Sequence, residues 1–271
     1  MSFSIAGKTA IVTGAAKGIG LAIARQFVEK GANVMFADMD ESCLANELGD
    51  LPKEEGPVRM FGGDLRHKLT LQNLLSATID AFDRVDILVN ASRQMYAADP
   101  LSSEDDGVEA LLEQNLMTSL RMSQMVAKRM IAQAEREGTG GNGATIGSIV
   151  NISSIAARRA QPELMAFSIS SAAVDQMTRS LAVALAPKRI RVNGIAFGSV
   201  MSTSLKEALK DHPEMRDQIR SRTPLERIAP PGELCDAAQF LASDGAGFIT
   251  GQVLTVDGGR CLVDAALAPV F

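Results

Sequence analysis

Thr9-Ala10-Ile11-Val12-Thr13-Gly14-Ala15-Ala16-Lys17-Gly18-Ile19-Gly20 decides the fold. Thr9 to Val12 is a short apolar run bounded by Thr13-Gly14, which reads as a buried strand. Gly18 to Lys30 carries apolar residues at Ile19, Ala22, Ile23, Phe27 and Val28, the spacing of one helical face, and Gly31 is a plausible C-terminal cap. Glycines between a strand and a helix let the backbone turn tightly, and the helix start then offers free N–H groups and a partial positive charge to a phosphate. The spacing is G-x-x-x-G-x-G, not G-x-G-x-x-G, and on its own it also suits an ordinary strand–helix turn.

Working outward, the same alternation repeats. Strands are expected at Asn33–Ala37, Val58–Phe61, Val85–Val89, Ser148–Ile152, Ile190–Ala196 and Gln252–Val256. Helices are expected over Glu41–Leu48, Leu69–Phe82, a long stretch from Ser103 to Glu137, Pro162–Ala186, much of Ser202–Arg222, and Pro231–Ser243. Strand–helix alternation implies crossover connections, hence an α/β, Rossmann-type, doubly wound parallel sheet of about seven strands with helices on both faces. No repeat or linker divides residues 1–271, so a single domain is expected.

Bulk properties narrow the partners. The formal net charge is −5, the Lys and Arg residues form no run, and nucleic acid is therefore not an expected partner. No apolar run approaches a membrane span and the first eight residues have no leader pattern, so a cytoplasmic protein is expected. Cys43, Cys235 and Cys261 are far apart without metal spacing; no metal site is expected, and buried free thiols suit them.

Several strand ends carry polar residues at the carboxyl edge, where open α/β sheets bind ligands. Asp38, followed by Met39-Asp40-Glu41, can accept from ribose hydroxyls and repel a 2′-phosphate, which argues for NAD(H) over NADP(H); it can also cap the next helix. Asp64-Leu65 either faces an adenine or starts a helix, and Asn90 lies beside the cofactor or serves as a turn residue.

With these residues in view, the chain resembles the short-chain dehydrogenase/reductase family along nearly its whole length. Thr13 to Gly20 resembles its T-G-x-x-x-G-x-G signature. Asp86-Ile87-Leu88-Val89-Asn90 resembles the run into N-N-A-G, with Ala91-Ser92-Arg93 in place of N-A-G. Gln114-Asn115-Leu116 looks like the segment carrying the family's active-site Asn, and Ile149 to Ser154 like the strand delivering its Ser. Ile190 to Gly198 resembles R-V-N-x-I-x-P-G, with Phe197 where Pro is usual, and Ile249 to Gly259 resembles the last strand.

The resemblance implies hydride transfer between NAD(H) and an alcohol or carbonyl substrate, with Ser154 and Asn115 as catalytic residues. It places Gly14, Lys17, Gly18, Ile19, Gly20, Asp38, Asp64, Leu65, Asn90, Ser171, Val200 and Ser202 around the cofactor. It makes residues 198–230 a substrate lid and the chain a homo-oligomer, tetramer or dimer, through its long helices. The family's Tyr, thirteen residues after Ser154, falls on Phe167, and its Lys, four further, on Ser171. Phe has no ionisable group. Tyr96, with Arg93 as a nearby cation, is a candidate replacement acid or an ordinary loop Tyr. Arg158 and Arg159 bind an anionic substrate or are solvated, and His212 reaches the substrate from the lid or lies on the surface. Two functions stay open: an oxidoreductase with an atypical acid–base group, and a non-catalytic dinucleotide-binding sensor or partner subunit.

Overall fold

The structure, a computed structural model, describes residues 2–51, 55–97, 99–101, 107–139 and 143–263. One seven-stranded sheet runs through it, with strands β1 (Thr9–Thr13), β2 (Asn33–Asp38), β3 (Val58–Gly62), β4 (Ile87–Asn90), β5 (Gly147–Ser154), β6 (Ile190–Phe197) and β7 (Val253–Val256). The order is β3-β2-β1-β4-β5-β6-β7, and every pairing is parallel. The order reverses at β1, so the crevice between the carboxyl ends of β1 and β4 is the switch point where such sheets take ligands.

Side-chain alternation distributes the core. On β1, Ala10 and Val12 point to one face and Ile11 to the other; on β2, Val34 and Phe36 oppose Met35 and Ala37. The first face packs against α1 (Gly18–Glu29) and α9 (Pro231–Ala242), through Ile23, Phe27, Leu234 and Leu241. The second packs against α3 (Lys68–Phe82), α5 (Thr118–Glu137) and α6 (Met165–Leu185), through Leu71, Leu74, Met122, Val126 and Ala182. Burying such a large apolar side chain contributes about 1.5–3 kcal/mol. Helix α2 (Glu41–Leu48) joins β2 to β3 and buries Leu44 and Leu48.

The sheet is anchored at its amino edge by Asp86, whose carboxylate accepts from the Thr9 N–H at 2.9 Å and is forked by Arg84. Helix α1 ends at Glu29 with Lys30 as its C-cap, and Gly31 just beyond it at φ 81° is the expected left-handed stop.

Two expected helices differ in detail. The stretch from Ser103 to Glu137 is not one helix. Its start lies outside the described residues; α4 (Gly107–Leu111) leads into a wide π-helical turn over Leu112–Met117, and α5 follows. The Thr118 N–H reaches back five residues to the Glu113 carbonyl, so one extra residue is inserted without disturbing the apolar pattern. The stretch Ser202–Arg222 breaks into α7 (Thr203–Asp211) and α8 (Glu214–Ser221) around His212-Pro213, because Pro cannot continue a helix already formed.

Candidate active site

The glycine turn after β1 is built by exclusion. Gly14 sits at φ 68°, and a Cβ on it would stand 2.7 Å from the Ala91 carbonyl oxygen. A Cβ on Gly20 would stand 2.1 Å from the Gly14 carbonyl oxygen. Only hydrogens fit where the turn presses on the loop after β4. Thr13, which the sequence reading did not single out, ties the two loops together: its Oγ1 accepts from the Ala91 and Ser92 N–H groups, both at 3.1 Å.

Lys17 is the extended N-cap of α1, and its side chain makes no capping bond to the helix. The amides of the first turn, from Gly18 through Gly20, therefore remain open to an anion, as helix starts do. The cradle and these open amides fit the pyrophosphate of a dinucleotide.

Asp38 closes the turn from the side. One carboxylate oxygen accepts from the Ala16 N–H at 3.0 Å and the other from the Asp40 N–H at 3.1 Å. Asp38 is not the cap of α2; Asp40 is, accepting from the Cys43 N–H at 3.0 Å. The carboxylate thus stands at the end of β2 beside the turn, with acidic Asp40 and Glu41 next to it.

Asp64 and Leu65 follow β3. Leu65 is buried in the second core, and Asp64 is held by its neighbour Arg66, whose Nη2 lies 2.6 Å from one oxygen. That guanidinium holds the Asp64 carboxyl below the usual carboxylate range. Asp64 does not cap α3, whose N-cap is His67.

Asn90 is buried at the end of β4. Its Nδ2 donates to Asn151 Oδ1 at 2.8 Å and to Ser123 Oγ at 3.0 Å, and Asn151 continues the chain to Thr178. The side chain therefore braces β4 against β5, α5 and α6, a role the turn reading of Asn90 did not contain, while its Oδ1 finds no partner among the described residues.

The second half of the site gathers at the carboxyl ends of β5 and β6. Ser154, at the end of β5 and 8% exposed, accepts from the Ala156 N–H at 3.2 Å. Asn115 hangs from the π-helical turn. It accepts from the Gln94 N–H at 2.8 Å and donates to Ser170 Oγ at 3.1 Å, which links the loop after β4 to α6. The widened turn also aims Gln114 inward, where it donates to Ser92 Oγ at 3.1 Å. Phe167 and Ser171, one turn apart on α6, are both buried, and Ser171 offers its carbonyl to Ser153 Oγ.

Arg93 crosses this floor. Its guanidinium carbon lies 5.4 Å from the ring centre of Phe167 and 4.3 Å from that of Phe197, and Nη1 donates to the Ser153 carbonyl at 3.2 Å. Burial pushes this guanidinium down to about 10. It stays charged at neutral pH. Beside it, Asn90, Ser92, Asn115, Phe167 and Ser171 line a void of about 10 Å³, room for roughly one water. The sequence reading held Arg93 only as a partner for Tyr96. The signal that could have singled it out is an Arg in Ala91-Ser92-Arg93, directly after the strand end at Asn90.

The remaining candidates have partners of their own. Tyr96 donates its hydroxyl to the Gly107 carbonyl at 3.1 Å. Arg158 and Arg159 are exposed, in keeping with a solvated pair, and each also has protein partners. Arg158 donates to Thr255 Oγ1 and Arg159 to the carbonyls of Cys261 and Val263, so both brace the C-terminal strand and turn. His212 is exposed beside Glu214. Val200 is buried in a bridge with Ala229, and Ser202 is the N-cap of α7, accepting from the Leu205 N–H. Among the described residues no group of His, Cys, Asp and Glu could hold a metal, and no helix is long and apolar enough to cross a membrane.

Known proteins share this architecture. The family model described as enoyl-(acyl carrier protein) reductase matches residues 14–260. The chain is 32% identical over 253 residues to 7α-hydroxysteroid dehydrogenase of Escherichia coli (strain K12), covering 93% of this chain and 94% of that one. A gluconate 5-dehydrogenase from Burkholderia cenocepacia J2315, solved with NADP and tartrate, superposes with a TM-score of 0.85 at 31% identity, covering 97% of this chain and 98% of the other. A 7α-hydroxysteroid dehydrogenase complexed with NADH and 7-oxo glycochenodeoxycholic acid gives 0.84 at 31%, covering 95% and 96%. The glycine turn, the sheet order and these relatives make the chain an oxidoreductase-type member of the short-chain dehydrogenase/reductase family.

Proposed function

We propose that the protein is an NAD(H)-dependent oxidoreductase acting on an alcohol or carbonyl substrate with an atypical acid–base group. The observation that carries the reading is the glycine cradle facing Asp38 across the β1–β2 carboxyl edge. In it, Gly14, Gly18, Ile19 and Gly20 hold the pyrophosphate with Lys17 alongside. Asp38 takes the adenosine ribose and disfavours a 2′-phosphate, and Asp64 and Leu65 border the adenine. Asn90, Ser171, Val200 and Ser202 surround the nicotinamide end. Bound there, the dinucleotide supplies or accepts the hydride.

The chain's own residues do the rest. Ser154 Oγ–H donates to the substrate oxygen and polarises its bond to carbon. Asn115, fixed at both ends of its amide, keeps the loop after β4 and α6 at a set distance. Phe167 and Ser171 occupy the positions of the family's Tyr and Lys. Phe167 cannot move a proton. A positioned acid or base contributes roughly 10²–10⁴ in rate, so turnover through this site is slow unless Tyr96 or a water delivers the proton. Residues 198–230 close over the substrate, and α5 and α6 pair copies of the chain into a dimer or tetramer; Val183 on α6 is 78% exposed. We place the protein in the cytoplasm.

The test is a screen of hydroxy and keto compounds with NAD(H), read at 340 nm, for wild type and Tyr96→Phe. NAD-linked turnover that falls with Tyr96→Phe supports the reading and its replacement acid. Dinucleotide binding with no turnover on any compound would make the protein a non-catalytic binder.

A further inference from the structure

We propose that Arg93 is the docking group for a carboxylate at the reacting end of the cleft, so that the ligand taken beside Ser154 is a small organic acid. The inference rests on the oxidoreductase reading for the identity of the cleft, not for the binding of the acid.

Four features of Arg93 carry it. Its guanidinium turns away from the glycine cradle, toward Ser153 on β5, Phe197 on β6 and Phe167 on α6. The anion that suits it is therefore separate from the pyrophosphate at α1. Second, two aromatic rings hold its plane, which removes much of the rotamer freedom an Arg normally loses on binding. Third, only Nη1 is used. Among the described residues, neither Nε nor Nη2 donates to the protein, and no ion pair includes Arg93. Fourth, burial lowers its titration, and among the described residues no carboxylate acts against that.

A half-buried guanidinium held between two rings, with no counter-ion among the described residues, is disposed to take an incoming oxyanion. The unused Nε and Nη2 form one edge of the planar fork, the geometry that binds a carboxylate through two parallel hydrogen bonds. The other guanidiniums named at this end of the sheet differ in setting: Arg158 and Arg159 lie exposed and brace the C-terminal strand and turn, and Arg66 forks Asp64. Ser154 follows Ser153 at the carboxyl end of β5, so its hydroxyl lies one residue beyond the carbonyl that Arg93 holds. Phe167 and Phe197 supply an apolar floor.

Malonate and ADP serve as separate probes, titrated calorimetrically against wild type, Arg93→Met and Arg93→Gln at fixed ionic strength, with thermal melts confirming folding. Wild type is expected to bind malonate, and both variants to bind it about tenfold more weakly or less, the loss of one charge-assisted pair. ADP affinity is expected to be unchanged. Equal malonate binding in wild type and variants, or none in wild type, overturns the proposal. A parallel loss of ADP affinity moves the anion to the pyrophosphate and also overturns it. So does tighter NADH binding in the variants with malonate unchanged, which makes Arg93 a plug. Failure of wild type to bind ADP speaks against the dinucleotide reading alone.

Discussion

The guanidinium of Arg93 lies over the ring of Phe197, 4.3 Å from its centre, and so joins the loop after β4 to the end of β6. Phe167 lies under the same guanidinium, and Ser171 shares its void. Four residues distant in sequence meet at one point.

Restoring the lysine alone should therefore be harmful. Ser171→Lys drives a long cation into a void of about 10 Å³ beside the charged Arg93. Overpacking of this kind costs about 1–3 kcal/mol, and like charge adds to it. Denaturant unfolding is expected to show that loss, and pairing the change with Arg93→Gly to recover much of it. The triple variant Arg93→Gly, Phe167→Tyr, Ser171→Lys is expected to turn over alcohols faster than wild type by about 10²-fold or more. A double variant lacking Arg93→Gly that does equally well would count against the clamp.

Gly20→Ala places a methyl group 2.1 Å from the Gly14 carbonyl oxygen, where only backbone movement can make room. A stability loss of about 1–3 kcal/mol is expected, together with loss of dinucleotide binding even in the folded fraction. Urea melts and NADH fluorescence read the two effects separately.

Asp38→Ala removes a carboxylate that also accepts from the Ala16 and Asp40 N–H groups. Affinity for NAD is expected to fall and affinity for NADP to rise, shifting their ratio by about tenfold or more, or ~1.4 kcal/mol. An unchanged ratio would mean that Asp38 serves the turn and not the ribose.

The pH dependence of anion binding has a defined sign. Burial lowers the Arg93 titration from its ordinary value to about 10. The cation is full at neutral pH and is lost as pH rises through about 10, so malonate affinity should be flat from pH 7 to 9 and fall above that. The same group disfavours folding while charged, and that penalty shrinks as pH rises through about 10. Affinity that already falls between pH 7 and 8 would assign the anion to another group.

Much of the fold is legible in the residues, because buried parallel strands are short apolar runs and the glycine turn punctuates them. The ends of β1, β2 and β5 follow from Thr13-Gly14, Asp38 and Ser153-Ser154. The π-helical turn at Leu112–Met117 is not legible, since an inserted residue leaves the helical pattern around it intact. The commitments of Arg158, Arg159 and Asn90 depend on partners distant in sequence, which no local pattern encodes. The Arg93 clamp escaped for the same reason: its rings lie on α6 and β6, far along the chain from the loop that carries it.

The central claim is that the amides at the start of α1 and the carboxylate of Asp38 hold an adenine dinucleotide. Titrating the wild-type protein into NADH and following nicotinamide fluorescence, with Gly20→Ala as the control, tests it most directly. The account requires saturable enhancement that NAD competes away and that the control lacks. A flat titration in wild type, or equal binding by the control, would contradict it.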